Sequence, residues 1–268
     1  MSEDFSGRTM VMSGGSRGIG LATALAFARR GGNVALLAKT DQPHPQLPGT
    51  LHTAVDAIEA AGGRAIGVLG DVRSEEDTQR MVAKAVAEFG EIDVVVNNAS
   101  AIHLGGSLDT PTKKFTLMHE VNIRGTWLLT TAALPHLRQT SGHIVTLSPP
   151  LNLAPHWLGA HPAYTTSKYG MTLLTLGWAA EFADDGVSAC CLWPETLIGT
   201  AAVTNVVGGV DGARSPKIMA DATMILIQKA ARETSGRTFI DADVLREAGF
   251  PDMSRYGGEA PTKDIFVD

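Results

Sequence analysis

Only two cysteines occur in the 268 residues, and they are neighbours, Cys190 and Cys191. Successive side chains of an extended segment point to opposite faces. The pair is therefore expected to pack separately in the interior, as free thiols of a reducing compartment, and not as a disulfide or a metal site. His156 and His161 share a loop but have no second ligand set, so no metal is expected. No apolar run approaches the ~20 residues of a membrane-spanning helix. Lys and Arg total 22 against 28 Asp and Glu, giving a net charge of -6 with no basic run. That balance argues against a nucleic-acid footprint. The first residues, Met1-Ser2-Glu3-Asp4-Phe5, lack the basic-then-apolar layout of a secretory leader, and Phe266-Val267-Asp268 is no Ser-Lys-Leu address. A cytoplasmic protein with small-molecule partners is expected. With no repeat, low-complexity segment or composition break, residues 1–268 read as one domain, ample to bury one core.

What is present is alternation. Short apolar runs at 9–13, 34–38, 64–69, 92–96, 143–147, 187–193 and 238–240 are separated by longer amphipathic stretches at 19–30, 51–61, 75–89, 112–138, 163–182 and 216–231. This pattern predicts an α/β domain with about seven parallel strands and crossover helices. The run Ile92-Asp93-Val94-Val95-Val96 has the composition of a strand covered on both faces. Residues 39–49 carry Pro43, Pro45 and Pro48 and predict a surface loop. Ser74 with Asp77 three residues on marks a helix start at Glu75.

Ser13-Gly14-Gly15-Ser16-Arg17-Gly18-Ile19-Gly20 falls between the first strand and the first helix. Glycines there let the backbone approach a pyrophosphate, and the N-terminus of the helix favours its charge, the arrangement of a Rossmann-type doubly wound sheet. Tyr164 and Lys168 stand four apart on one predicted helix and share a face. A phenol ordinarily loses its proton only near pH ~10, and a nearby ammonium favours the ionised form. Such a pair suits proton donation and acceptance.

The Gly-x-x-x-Gly-x-Gly spacing, Asn97-Asn98-Ala99 after the Val-rich strand, and Tyr164-x-x-x-Lys168 occur in the order seen in short-chain dehydrogenases/reductases, and the chain resembles that family. Ala38-Lys39-Thr40, Ser148-Pro149-Pro150-Leu151-Asn152-Leu153 and Leu192-Trp193-Pro194 narrow the resemblance to its hydroxysteroid dehydrogenase-like protein 2 branch. Members of that branch often carry a C-terminal sterol-carrier domain, and this chain stops where that domain would begin.

The resemblance implies a nicotinamide dinucleotide held by Gly14, Ser16, Arg17, Gly18, Ile19, Gly20, Asn98, Ala99, Tyr164, Lys168 and Pro194, with Asp71 near adenine. An acid at the end of the second strand selects NAD, and a base accommodates the extra phosphate of NADP. Ala38 fills the acidic position and Lys39 follows it, so NADP(H) is expected, although Asp41 keeps NAD open. Thr196 and Thr200 are both candidates for the carboxamide contact.

The implied catalytic set is Asn122, Ser148, Tyr164 and Lys168. Tyr164 would exchange the proton with the substrate oxygen, and Lys168 would lower its pKa and hold the nicotinamide ribose. Ser148 would polarise the carbonyl, and Asn122 would hold a proton-returning water. The serine departs from the family pattern. It stands sixteen residues before Tyr164, farther than usual, and Pro149 replaces a second serine. Either Ser148 or Asn152 is the polarising donor. Glu195 replaces the usual glycine after Pro194 and is expected to point outward from its turn. Leu151, Leu153, Trp157, Leu158 and the stretch 201–210 predict an apolar pocket for a fatty-acyl or steroid-like carbonyl or alcohol. The family implies a homodimer or homotetramer through the helices at 112–138 and 163–182. The competing reading is a catalytically weak dinucleotide-binding redox sensor or scaffold.

Overall fold

The structure is a computed structural model that describes residues 4–43, 49–207 and 212–268. Parts of the proline-bearing loop and of the stretch 201–210, with the first three residues, lie outside them.

Seven parallel strands form one sheet in the order β3-β2-β1-β4-β5-β6-β7. They are β1 (Thr9–Ser13), β2 (Asn33–Ala38), β3 (Arg64–Leu69), β4 (Val94–Asn97), β5 (His143–Thr146), β6 (Ser188–Trp193) and β7 (Thr238–Ile240). The helices are α1 (Gly18–Ala28), α2 (Leu51–Ala60), α3 (Glu75–Phe89), α4 (Thr112–Met118), α5 (Gly125–Thr140), α6 (Pro155–Ala160), α7 (Pro162–Glu181), α8 (Ala201–Val207), α9 (Lys217–Leu226), α10 (Ala231–Thr234) and α11 (Asp241–Glu247).

Strand alternation explains why helices cover both faces. Met10 and Met12 of β1, Val34 and Leu36 of β2, and Val94 and Val96 of β4 join one core with α1, α2, α9 and α11. Val11, Ala35, Leu37 and Val95 join the other with α3, α5 and α7. Cys190 belongs to the first core, and both cysteines are free and buried. Because every inner strand meets apolar side chains on both sides, the strands read as continuous apolar runs in the sequence.

The strand order reverses between β1 and β4, where Ser13 stands opposite Asn97. Such a switch point leaves a crevice beyond the carboxyl ends of the strands. The Ser74 hydroxyl accepts from the Asp77 N–H, as its position at the head of α3 predicted. The region 112–138 is helical but not uniform, because a π-turn at His119–Arg124 separates α4 from α5. π-turns displace side chains relative to the helical repeat and often mark functional positions.

Four short helices, α6, α8, the four-residue α10 and α11, have no periodic signature in the sequence. α6 opens on Pro155 at its first turn, a position that tolerates proline. α8 and α11 are seven residues each, too short to show a face. Among the described residues no helix is long and apolar enough to cross a membrane, and no group of three or more His, Cys, Asp or Glu is arranged to hold a metal.

Candidate active site

The glycine turn lies at the switch point and is clamped to β4. Asn98 Nδ2 donates to the carbonyls of Ser13 (3.0 Å) and Gly14 (2.8 Å), and the Ala99 N–H donates to Ser13 Oγ (3.1 Å). Gly14 has φ +74 and Gly18 has φ +57, a region costly for residues with a Cβ. At Gly20 a Cβ would come within 2.6 Å of Asn98 Nδ2 and 2.7 Å of the Gly14 carbonyl oxygen. Ser16 is buried, and Ile19 packs on the first core. Two buried polar atoms here lack a partner among the described residues, Arg17 Nη1 in the turn and Thr196 Oγ1 after the buried Pro194. A bare-backbone turn at a helix N-terminus, a buried guanidinium nitrogen and a buried hydroxyl fit a dinucleotide: phosphates at the turn and the carboxamide at Thr196. Thr200, the other candidate, accepts from the Val203 N–H through its hydroxyl (3.3 Å).

Beside the turn, at the ends of β2 and β3, Asp71 sits between two cations. Arg73 grips it through Nε and Nη2 at 2.6–3.1 Å, and Lys39 Nζ lies 3.6 Å away. The hydrogen bond from Arg73, with help from Lys39, holds the Asp71 carboxyl down to about 2. Lys39 remains well exposed.

Tyr164 and Lys168 share the buried face of α7, at 4% and 3% exposure. The pair is no surface ornament. Lys168 Nζ donates to the Leu147 carbonyl (2.8 Å), approaches Met171 Sδ (3.7 Å) and lies 5.2 Å over the Trp193 ring. Burial brings Lys168 down to about 7, opposed by Asp264. Burial first, and then Asp264, push the Tyr164 phenol well above its ordinary value, while the neighbouring Ser100 hydroxyl pulls it back. Desolvation, and not the ammonium of Lys168, dominates the phenol in this structure.

Asn122 lies in the π-turn and is fully buried. Its side chain exchanges hydrogen bonds with the Ala101 backbone (2.7 and 3.0 Å) and donates to Ser167 Oγ (2.9 Å), joining the β4 loop to α7 beside Lys168. Asn97 Nδ2 reaches Thr130 and Thr146 (2.9 and 3.3 Å), tying β4 to α5 and β5. Ser148 is fully buried, and its Oγ accepts from Thr172 Oγ1 at 3.0 Å, behind Lys168. Asn152 is engaged elsewhere, donating to Asp268 Oδ2 (2.7 Å). Glu195 does not point outward unpaired: it bonds Arg214 (2.7 Å) and Arg246 (2.9 Å) and stiffens the loop after β6.

Ser100, directly after Asn97-Asn98-Ala99 where the family usually has glycine, and two groups that carry no motif also lie at this site. Ser100 is exposed beside Tyr164. Asp264 is buried, and burial raises its carboxyl to about 7 near Lys168. Phe266 is 2% exposed and joins Tyr164, Tyr169, Trp193 and Met118 in a third apolar cluster, with Trp157 packed against it. The one signal for the last two is the apolar run Ile265-Phe266-Val267 in a segment with no helical period, which must find cover somewhere.

A family model described as short chain dehydrogenase matches residues 8–208. Hydroxysteroid dehydrogenase-like protein 2 of Bos taurus is 46% identical over 98% of this chain, which spans 64% of that relative's length. A Xanthomonas campestris protein of known structure superposes with a TM-score of 0.95 at 47% identity over 99% of both chains. A metagenomic short-chain oxidoreductase solved in complex with NADP superposes with a TM-score of 0.72 at 26% identity, over 90% of this chain and 98% of its own. With the glycine turn, the switch-point crevice and the Tyr164–Lys168 pair in place, the chain belongs to the short-chain dehydrogenase family of oxidoreductases.

Proposed function

We propose that this protein transfers a hydride between NADP(H) and an apolar ketone or secondary alcohol of fatty-acyl or steroid-like character. The observation that carries the reading is the buried Tyr164–Lys168 pair, set among Trp157, Trp193 and Phe266 beside the glycine turn. The cofactor supplies the hydride when bound, and the chain supplies placement and the proton. Gly14, Ser16, Arg17, Gly18, Ile19 and Gly20 would hold the pyrophosphate, with Asn98, Ala99 and Pro194 lining the cleft. Lys39 and Arg17 would meet the 2'-phosphate, with Asp71 near adenine. The NADP complex of the metagenomic relative and the name of the Bos taurus relative point the same way.

A phenol pushed up by burial is protonated at neutral pH, the form that donates to a carbonyl oxygen as the hydride arrives. Lys168, brought down to about 7, sits where it can return that proton, and Asn122 is the proposed holder of the connecting water. Ser148 is the proposed polarising donor: its Oγ accepts from Thr172 and keeps its own proton to donate. Asn152 is the weaker candidate, being bound to Asp268.

The test is nicotinamide absorbance with NADPH or NADH and a panel of long-chain, aromatic and steroid ketones. Tyr164→Phe is expected to lower turnover by roughly 10²–10⁴-fold while NADPH binding persists. Unchanged turnover in that variant would remove Tyr164 from the chemistry. One observation favours a redox sensor instead: Tyr164 is covered by Phe266. Cofactor binding without turnover across the panel would select it. A homo-oligomer in the reducing cytoplasm completes the reading, supported by Trp127 and Leu173 exposed on α5 and α7 and by two free buried thiols.

A further inference from the structure

The segment 262–268 crosses the carboxyl end of the sheet and is fastened on both sides of Tyr164. On one side it runs along the loop after β6. The Leu197 N–H donates to the Thr262 carbonyl (3.0 Å), Thr196 and Lys263 form an antiparallel bridge, and the Asp264 N–H donates to the Glu195 carbonyl (3.0 Å). Trp193 Nε1 donates to the Ile265 carbonyl at 2.9 Å. On the other side Asp268 receives Asn152 Nδ2 (2.7 Å) and Trp157 Nε1 (2.9 Å), two groups of the loop between β5 and α7.

Between these fastenings Phe266 enters the apolar cluster. Its ring centroid is 6.4 Å from that of Tyr164 with the planes at 21°, and 5.3, 5.9 and 6.1 Å from those of Tyr169, Trp157 and Trp193. Its backbone has φ +70, a left-handed conformation that a bulky residue keeps only where its surroundings impose it. What imposes it here is the seat over the catalytic tyrosine. The fastenings differ in kind from a core: Asp268 is exposed, as is Lys263, so the latch on Asn152 and Trp157 can open without opening the sheet.

We propose that Phe266 is the specificity-determining residue of the substrate site, holding the place over Tyr164 that the hydrocarbon part of a substrate takes, so that segment and substrate exchange. This rests on the ketone reductase reading above. A small polar carbonyl has no apolar body with which to replace the aromatic contacts of Phe266, whereas a long or ringed one does. Seating of Phe266 lowers the fraction of molecules ready to bind, and the apparent affinity falls by that fraction.

Two measurements test it. In steady-state kinetics with NADPH, Phe266→Ala is expected to lower the KM for methyl octyl ketone by roughly three- to tenfold, the scale of an aromatic pair, with kcat little changed. Asp268→Ala, an exposed change that leaves the ring in place but removes its latch, is expected to move the same KM in the same direction by less. In limited trypsin digestion of the wild-type protein with NADPH, cleavage after Lys263, slow while that residue is bridged to Thr196, is expected to speed up with methyl octyl ketone and not with acetone. A KM that rises or stays put in both variants, or cleavage that no ketone accelerates, overturns the proposal. Turnover with unmoved KM values would sink the exchange and leave the reductase intact. Accelerated cleavage with no turnover of any ketone would support the exchange and sink the reductase.

Discussion

Lys39 is the residue on which the proposed preference for NADP(H) turns. Its ammonium lies 3.6 Å from Asp71, which Arg73 already grips, so one carboxylate faces two cations and Lys39 keeps charge to spare for a phosphate. Lys39→Ala is expected to weaken NADPH binding about tenfold, the value of one charge-assisted contact, and to leave NADH unchanged. Titration of both nucleotides by fluorescence checks this, and equal losses would assign Lys39 a structural part only. At Ser148 the contact with Thr172 predicts a graded outcome. Ser148→Ala should lose less turnover than Tyr164→Phe and more than Asn152→Ala. Full activity in Ser148→Ala would take it out of the mechanism. Tyr164, Lys168 and Lys39 were legible in the sequence because their spacing and register are local. Asp264 and Phe266 were not, because both reach the site from a segment far along the chain.

At the level of elements, the β1–α1 turn and the β7–α11 junction behave in opposite ways. The turn depends on missing side chains. Gly20→Ala would push a methyl against Asn98 and the Gly14 carbonyl, and a loss of about 1–3 kcal/mol is expected, read from urea unfolding. The junction depends on a buried acid. Asp241 Oδ1 accepts from the N–H groups of Glu195 and Ala242 at 2.8 and 2.7 Å, and burial raises its carboxyl from 3.8 to about 6. The folded chain therefore keeps a proton that the unfolded chain has released. The stability from this group is full below about pH 4 and is lost as pH rises through about 6. Asp241→Asn removes that slope, so its stability relative to wild type should rise across this window, by up to about 3 kcal/mol. Urea titrations at successive pH values measure it, and parallel curves would contradict the burial argument. The seven strands and six long helices were legible because their apolar periods are long. α6, α8, α10 and α11 were not, since one or two turns held by tertiary contacts leave no periodic trace.

Across the whole molecule, the helices on one face leave Trp127 47% and Leu173 59% exposed, large apolar side chains on the two helices expected to pair copies. Leu173→Glu is expected to shift light-scattering mass toward the monomer without loss of secondary structure. An unchanged mass would place any interface elsewhere. The alternating pattern of apolar runs determined the parallel sheet, since buried strands and amphipathic crossovers have few other ways to cover one another. Glycine spacing, the Asn97-Asn98-Ala99 segment and Tyr164-x-x-x-Lys168 likewise determined the family, being short motifs whose chemistry depends on nearby residues. Only the tertiary structure decided the environment of those groups. It buried the Tyr164–Lys168 pair, set Ser148 against Thr172, bound Glu195 to two arginines and packed Phe266 on Tyr164. Burial and pairing depend on residues far apart in the chain meeting across the sheet, and nothing in local order encodes their distance.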